Sequence, residues 1–135
     1  MIYKSYKWKK ELRHQKKEIL RFNRKEFFDD DFDVTYFKIE KAFLFSTIIM
    51  RTLLEAQKLS DFVDNYQIKV SKNKPKRNID RLHRFLDDDE YDWKHTDFEK
   101  LSGRKICNFI LHSYVFSFLF ENNDSIIGFC VSSDY

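Results

Sequence analysis

The chain has 135 residues, with 25 Lys or Arg against 22 Asp or Glu and a formal net charge of +3, and this length fits one domain whose core needs no disulfide or metal. Its 15 Phe, 7 Tyr and 2 Trp beside only 2 Gly and 1 Pro predict a core of aromatic rings, long regular elements and no Gly-rich phosphate loop. Two cysteines, Cys107 and Cys130, are too few for a disulfide scaffold, and the lysine-rich N-terminus excludes a signal peptide. The chain has no apolar run long enough for a membrane span, and these features favour a cytoplasmic protein with reduced thiols.

The first predicted element is a basic helix over residues 1–28. Residues 1–26 hold ten Lys or Arg against three Glu, and the rest of the chain is mildly acidic. The apolar stripe of this helix is thin, so most of its surface should face water. Because cations neutralise phosphates and aromatic rings stack on bases, the helix is a candidate for binding RNA or single-stranded DNA. The candidate residues are Trp8, Lys9, Lys10, Arg13, Lys16, Lys17, Arg21 and Arg24.

A central helix is predicted over residues 34–62. Its middle is apolar on nearly every side, which is typical of a helix that is buried all round. The acidic run before it favours a helix start, with Asp30, Asp31 or Asp33 as the N-cap.

The next segments alternate between strand and loop patterns. Residues 66–71 show the period of two that indicates a half-buried strand, and the following basic loop contains the only proline. One or two helical turns are predicted over residues 79–86, and an acidic loop over residues 87–92.

The last third combines a helix and a hairpin. A second core helix is predicted over residues 97–114, capped by Asp97 or Ser102. Residues 115–131 read as a β-hairpin, which could pair with the strand at 66–71. The sequence therefore predicts an α+β fold in a single domain over residues 1–135, with a predominantly helical core and a small antiparallel sheet.

A polar stripe crosses this second helix. Arg104, Asn108 and His112 lie four residues apart, so they share one broad face of an otherwise apolar helix. A His can act as a general acid or base at neutral pH, and an Arg can hold a phosphate. The competing interpretation is a hydrogen-bonded core pair of Asn108 and His112 that fixes the register of the helix.

The run Cys107-Asn108-Phe109-Ile110-Leu111-His112 resembles the motif of HEPN domains, helical bundles in which an Arg and a following polar residue precede a His. The segments 41–46 and 53–56 are also similar to the first long helix of such bundles, and the resemblance covers roughly residues 35–62 and 100–117. In HEPN ribonucleases the Arg and His of two subunits cleave RNA without metal. Cys107 stands where that Arg would be, so the phosphate clamp would come from Arg104 or from a second subunit.

Three functions follow from these patterns. The first is a non-catalytic binding or regulatory module that contacts RNA or a partner protein, and the HEPN resemblance implies a bacterial toxin–antitoxin or phage-defence setting. The second is an active metal-independent ribonuclease that uses His112, Asn108 and Arg104. The third is a purely structural interaction protein that forms a homodimer through an apolar helix face. No metal site and no cofactor are expected, because the histidines and carboxylates lack the spacing of a ligand set.

Overall fold

The computed structural model describes residues 3–76, 91–122 and 124–133. It confirms the α+β class with a helical core. The elements in chain order are α1 (Ser5–Phe22), α2 (Lys25–Asp30), α3 (Phe32–Glu55), α4 (Asp61–Asn65), β1 (Gln67–Pro75), β2 (Tyr91–Ser102), α5 (Gly103–Leu111), β3 (Ser113–Glu121) and β4 (Ser125–Ser133).

Helix α3 is the centre of the fold, and α1 lies against it. Leu12 of α1 packs on the buried Ile49 and Leu53 of α3, whereas Ile19, one turn before the end of α1, packs on the cluster around Ile39. The early part of α1 therefore faces the late part of α3, and the two helices run antiparallel. Because α1 has no fully buried residue, it covers α3 with one edge and leaves its other sides in water.

Aromatic rings join α2 and α3 to the C-terminal hairpin, as the composition predicts. Phe28, Ile39 and Phe118 are buried together. Phe43 contacts Phe118 with ring centroids 5.5 Å apart in an edge-to-face arrangement, and Phe129 of β4 at 5.0 Å. Such ring pairs add to the free energy gained from burying apolar area.

The basic helix predicted over residues 1–28 is two helices, because the chain breaks at Asn23 and Arg24. The Asn23 side chain donates to the carbonyl oxygen of Ile126 at 2.9 Å and accepts from its backbone N–H at 2.7 Å. One side chain therefore satisfies both backbone groups of a residue in β4. This long-range pairing favours the break, and no local pattern could reveal it.

The central helix, predicted over residues 34–62, starts two residues earlier and ends seven residues earlier, and the short α4 follows it. Asp31 is its N-cap, with Oδ1 accepting from the backbone N–H of Val34 at 3.1 Å. At the other end the N–H groups of Gln57 and Lys58 donate to the carbonyls of Leu54 and Leu53. Gln57 has a φ of 55°, so this is a Schellman ending with a non-glycine residue in the left-handed region.

The predicted pairing of the first strand with the C-terminal hairpin is wrong. Strand β1 pairs antiparallel with β2, from Gln67 opposite Ser102 onward, and among the described strands β3 pairs only with β4, in a second two-stranded sheet. Residues 97–102, predicted as helix, and residues 91–92, predicted as loop, belong to β2. The backbone hydrogen bonds to β1 outweigh the helical pattern there, and α5 starts only after its N-cap, Ser102.

The predicted helical turns at 79–86 and most of the predicted acidic loop lie outside the described residues. Among the residues that the structure does describe, no helix has both the length and the apolar character needed to cross a bilayer.

Candidate nucleic-acid interface

The outward face of α1 is a row of exposed cations, here called the basic face: Lys10, Arg13, Lys17 and Arg21. These residues recur at intervals of three and four, which places them on one side of a helix. Of the other residues predicted to bind nucleic acid, Lys16 and Arg24 are exposed and Lys9 is half-buried. Helix α1 itself holds seven Lys or Arg and two Glu, a net charge of +5.

Few of these charges have a partner. Arg21 lies 3.9 Å from Glu18, and their side chains are 67% and 32% exposed, so water and salt screen the pair. Within the described residues, no other Lys or Arg of α1 forms an ion pair. The positive potential of the basic face is therefore not cancelled by the described part of the fold, and this potential attracts polyanions.

A groove of about 700 Å³ opens between the first turns of α1 and helix α3. Its walls combine three aromatic rings with two lysines and one glutamate: Tyr3, Lys4, Lys7, Trp8, Glu11 and Phe45. Trp8 is 41% exposed and Tyr6, one turn from Lys10, is 62% exposed. Apolar rings of this size are usually buried, so their exposure beside cations indicates a surface suited to flat, charged ligands.

The structure does not gather the polar stripe of α5 into one site. His112 is the C-cap of α5 and its side chain is exposed, so it is not a core residue. Asn108 lies one turn earlier, and its Oδ1 is buried without a hydrogen-bond partner in the described part of the chain. The guanidinium of Arg104 is committed elsewhere, because it donates to the carbonyl oxygen of Leu54 at 3.1 Å.

Sequence reasoning missed Arg51, which α3 brings close to Cys107. Burial raises the pKa of the Cys107 thiol, and the charge of Arg51 opposes that rise only in part. Burial also raises the pKa of the half-buried Cys130. Both thiols are therefore protonated at neutral pH and are poor nucleophiles. The signal for Arg51 was its position as a lone charge inside the apolar run 48–54.

The basic loop predicted after the first strand, over residues 72–78, is described as far as Lys76, and its residues up to Pro75 belong to β1 instead. Lys72 reaches Glu99 across the β1–β2 pair at 3.6 Å, so part of its charge is matched within the sheet. On the same sheet His95 Nδ1 lies 2.8 Å from Asp92 Oδ2. The hydrogen bond from His95 is the main reason why the pKa of Asp92 is lowered.

Across residues 3–76, 91–122 and 124–133, no three His, Cys, Asp or Glu side chains are grouped to hold a metal ion. The chain matches no family model, no curated protein and no solved structure. The basic face, the groove and the residues of α5 are therefore the features that bear on function.

Proposed function

We propose that this protein is a non-catalytic binding module that holds single-stranded RNA on the basic face of α1. The observation that carries the proposal is the row Lys10, Arg13, Lys17 and Arg21, which is exposed and nearly free of ion pairs. Neutralising phosphates with such side chains releases counterions, which is the main source of affinity for nucleic acid without sequence preference.

The groove supports a single strand over a duplex. Bases that are not paired expose their faces, and Trp8, Tyr3 and Phe45 offer rings within reach of Lys4 and Lys7. Stacking of a base on an aromatic side chain contributes about 1–3 kcal/mol and tolerates any base. The preference for RNA over single-stranded DNA rests on the resemblance of residues 35–62 and 100–117 to HEPN domains.

A pair of charge reversals tests the basic face. Arg13→Glu with Lys17→Glu should weaken binding of a labelled 12-nucleotide RNA at least tenfold at 0.1 M salt, because two phosphate contacts are lost and two repulsions are gained. The matched control reverses two exposed lysines away from α1, Lys58→Glu with Lys100→Glu. Equal losses in both variants would show that only total charge matters and would refute the basic face as the site.

Tryptophan fluorescence tests the groove. Trp8 and Trp93 are both 41% exposed, so each can report a stacked base. RNA should quench emission in Trp93→Phe, which retains Trp8, and should leave Trp8→Phe almost unchanged. Quenching in Trp8→Phe that matches the wild type would place the bases away from the groove.

The exposed side chain of His112 favours one second candidate, the metal-independent ribonuclease. An exposed imidazole can exchange protons with a bound substrate, which a buried core residue could not do. The test incubates wild type, His112→Ala and the control His95→Ala with RNA in EDTA. Cleavage that only His112→Ala loses would establish the ribonuclease. Intact RNA in all three samples would leave the binding module as the function.

A further inference from the structure

Helix α3 carries an exposed apolar stripe, here called the α3 stripe: Val34, Phe37, Leu44 and Ile48. Their side chains are 47%, 61%, 37% and 50% exposed. With Lys41 between them, the positions alternate in steps of three and four, which is the a and d spacing of a helix that packs along a second helix. Apolar residues exposed as a continuous row mark an interaction surface more often than scattered ones do.

The remaining sides of α3 are already covered. Helix α1 packs on Ile49 and Leu53, and the β3–β4 hairpin packs on Ile39 and Phe43. At its C-terminal end α3 contacts α5, where Arg104 donates to the carbonyl of Leu54. The α3 stripe is thus the side of the central helix that no described element covers.

We infer that the α3 stripe binds the same stripe of a second copy of this chain, with the two helices antiparallel. A parallel pair would set Lys41 against Lys41 of the second copy, two like charges at the centre of the contact. An antiparallel pair that sets Phe37 against Ile48 of the second copy instead lays the Lys41 stem along Leu44. Arranging the same patch on both subunits about a two-fold axis is the commonest way in which proteins form dimers.

Charges at the two ends of the stripe complement each other in this arrangement. Asp33 is exposed beside Val34 at the start of α3, and Arg51 lies near its end with a side chain 36% exposed. With Phe37 facing Ile48, each Asp33 lies beside the Arg51 of the second copy. Within its own subunit Arg51 pairs only with Glu55, through Nη2 at 3.2 Å, among the described residues; its Nε is buried, so the terminal nitrogens of the guanidinium are the groups that would meet Asp33 of the second copy.

The area available predicts a weak dimer. One helix face with four apolar side chains is smaller than the roughly 800 Å² that each partner buries in a standard stable interface. We therefore expect the monomer and dimer to exchange, with a dissociation constant in the micromolar range.

Sedimentation velocity across a concentration series tests the contact. The wild type should shift from monomer to dimer with rising concentration, and Phe37→Glu with Ile48→Glu should weaken that association at least tenfold. The matched control, Phe62→Glu with Ile127→Glu, changes two apolar residues that are 75% and 64% exposed elsewhere and should associate as the wild type does. A wild type that stays monomeric at every concentration, or a dimer that survives the α3 variant, would overturn the inference.

A charge swap tests the antiparallel arrangement. Asp33→Lys and Arg51→Glu should each weaken the dimer, and the double variant should restore it, because the ion pair across the interface is rebuilt with reversed signs. Circular dichroism of each variant shows whether the fold persists. Failure of the double variant to recover association, with the fold intact, would overturn the antiparallel arrangement.

Discussion

Arg104 closes the end of a helix rather than facing a substrate. Its guanidinium donates to Leu54 O, one of the last carbonyls of α3. The Leu54 carbonyl also accepts from the N–H of Gln57, and the last carbonyls of a helix carry its partial negative charge, so a cation there stabilises the helix. The four-residue spacing of Arg104 from Asn108, and of Asn108 from His112, suggested a phosphate clamp, because the sequence does not show that α3 ends beside α5.

Removing this contact should lower stability. Arg104→Ala should reduce the free energy of unfolding by about 1 kcal/mol, the typical net contribution of a hydrogen bond, and Arg104→Lys should lose less because its charge remains. Urea denaturation measures both changes. Arg13→Ala, which alters an exposed arginine without an ion pair, should stay within about 0.5 kcal/mol of the wild type. An equal loss in Arg13→Ala would contradict the capping role.

The contact between His95 and Asp92 predicts that the pKa of Asp92 depends on His95. The hydrogen bond from His95 lowers the pKa of Asp92 below its ordinary value of 3.8, and two backbone hydrogen bonds act in the same direction. A carboxyl whose pKa is lower in the folded state stabilises the fold at pH values above 3.8. This stabilisation is lost as the pH falls through the pKa of the folded state. NMR titration should find the Asp92 carboxyl below 3.8 in the wild type and higher in His95→Ala. His14→Ala should leave the Asp92 value where it is, and a His95→Ala titration curve identical to that of the wild type would refute the pairing.

At the scale of elements, a short sequence pattern predicts a structural feature when that feature depends on neighbouring residues. The N-cap of α3 is one example, because the acidic run contains Asp31 and the structure uses it. Asp31→Ala should lower the free energy of unfolding by about 1 kcal/mol, whereas Asp31→Asn should keep most of the stability that the cap provides, because Asn caps as well as Asp. Thermal or urea unfolding distinguishes the two. Asp30→Ala is the matched control and should have little effect, and an equal loss there would mean that general acidity, not the cap, stabilises α3.

Long-range pairing explains the elements that the sequence could not predict. Strand β2 depends on β1, whose paired residues lie 16 to 35 positions earlier in the chain, and the pattern of β2 without that partner reads as loop and helix. The break at Asn23 depends on Ile126, more than a hundred residues away. The hairpin was predictable because its two β-type runs are close together and are joined by a segment rich in Asn and Asp, and only its bounds differ from the prediction.

For the whole molecule, the uneven distribution of charge along the sequence becomes an uneven distribution of charge over the surface. The thin apolar stripe of residues 1–28 predicted that most of this segment would face water, and the cations of α1 do. The groove was not predictable, because Phe45 reaches Trp8 only through the antiparallel packing of α1 on α3. The same packing leaves one side of α3 uncovered, so the basic face, the groove and the α3 stripe are all consequences of one helix pair.

The most direct test of RNA binding by the basic face is its dependence on salt. If Lys10, Arg13, Lys17 and Arg21 each neutralise one phosphate of a 12-nucleotide single-stranded RNA, a plot of log affinity against log salt concentration should have a slope of about −3. Fluorescence anisotropy of the labelled RNA between about 50 and 200 mM salt gives this slope. A slope near −3 would support phosphate contact by these four side chains, whereas no binding, or binding that salt does not weaken, would contradict the account.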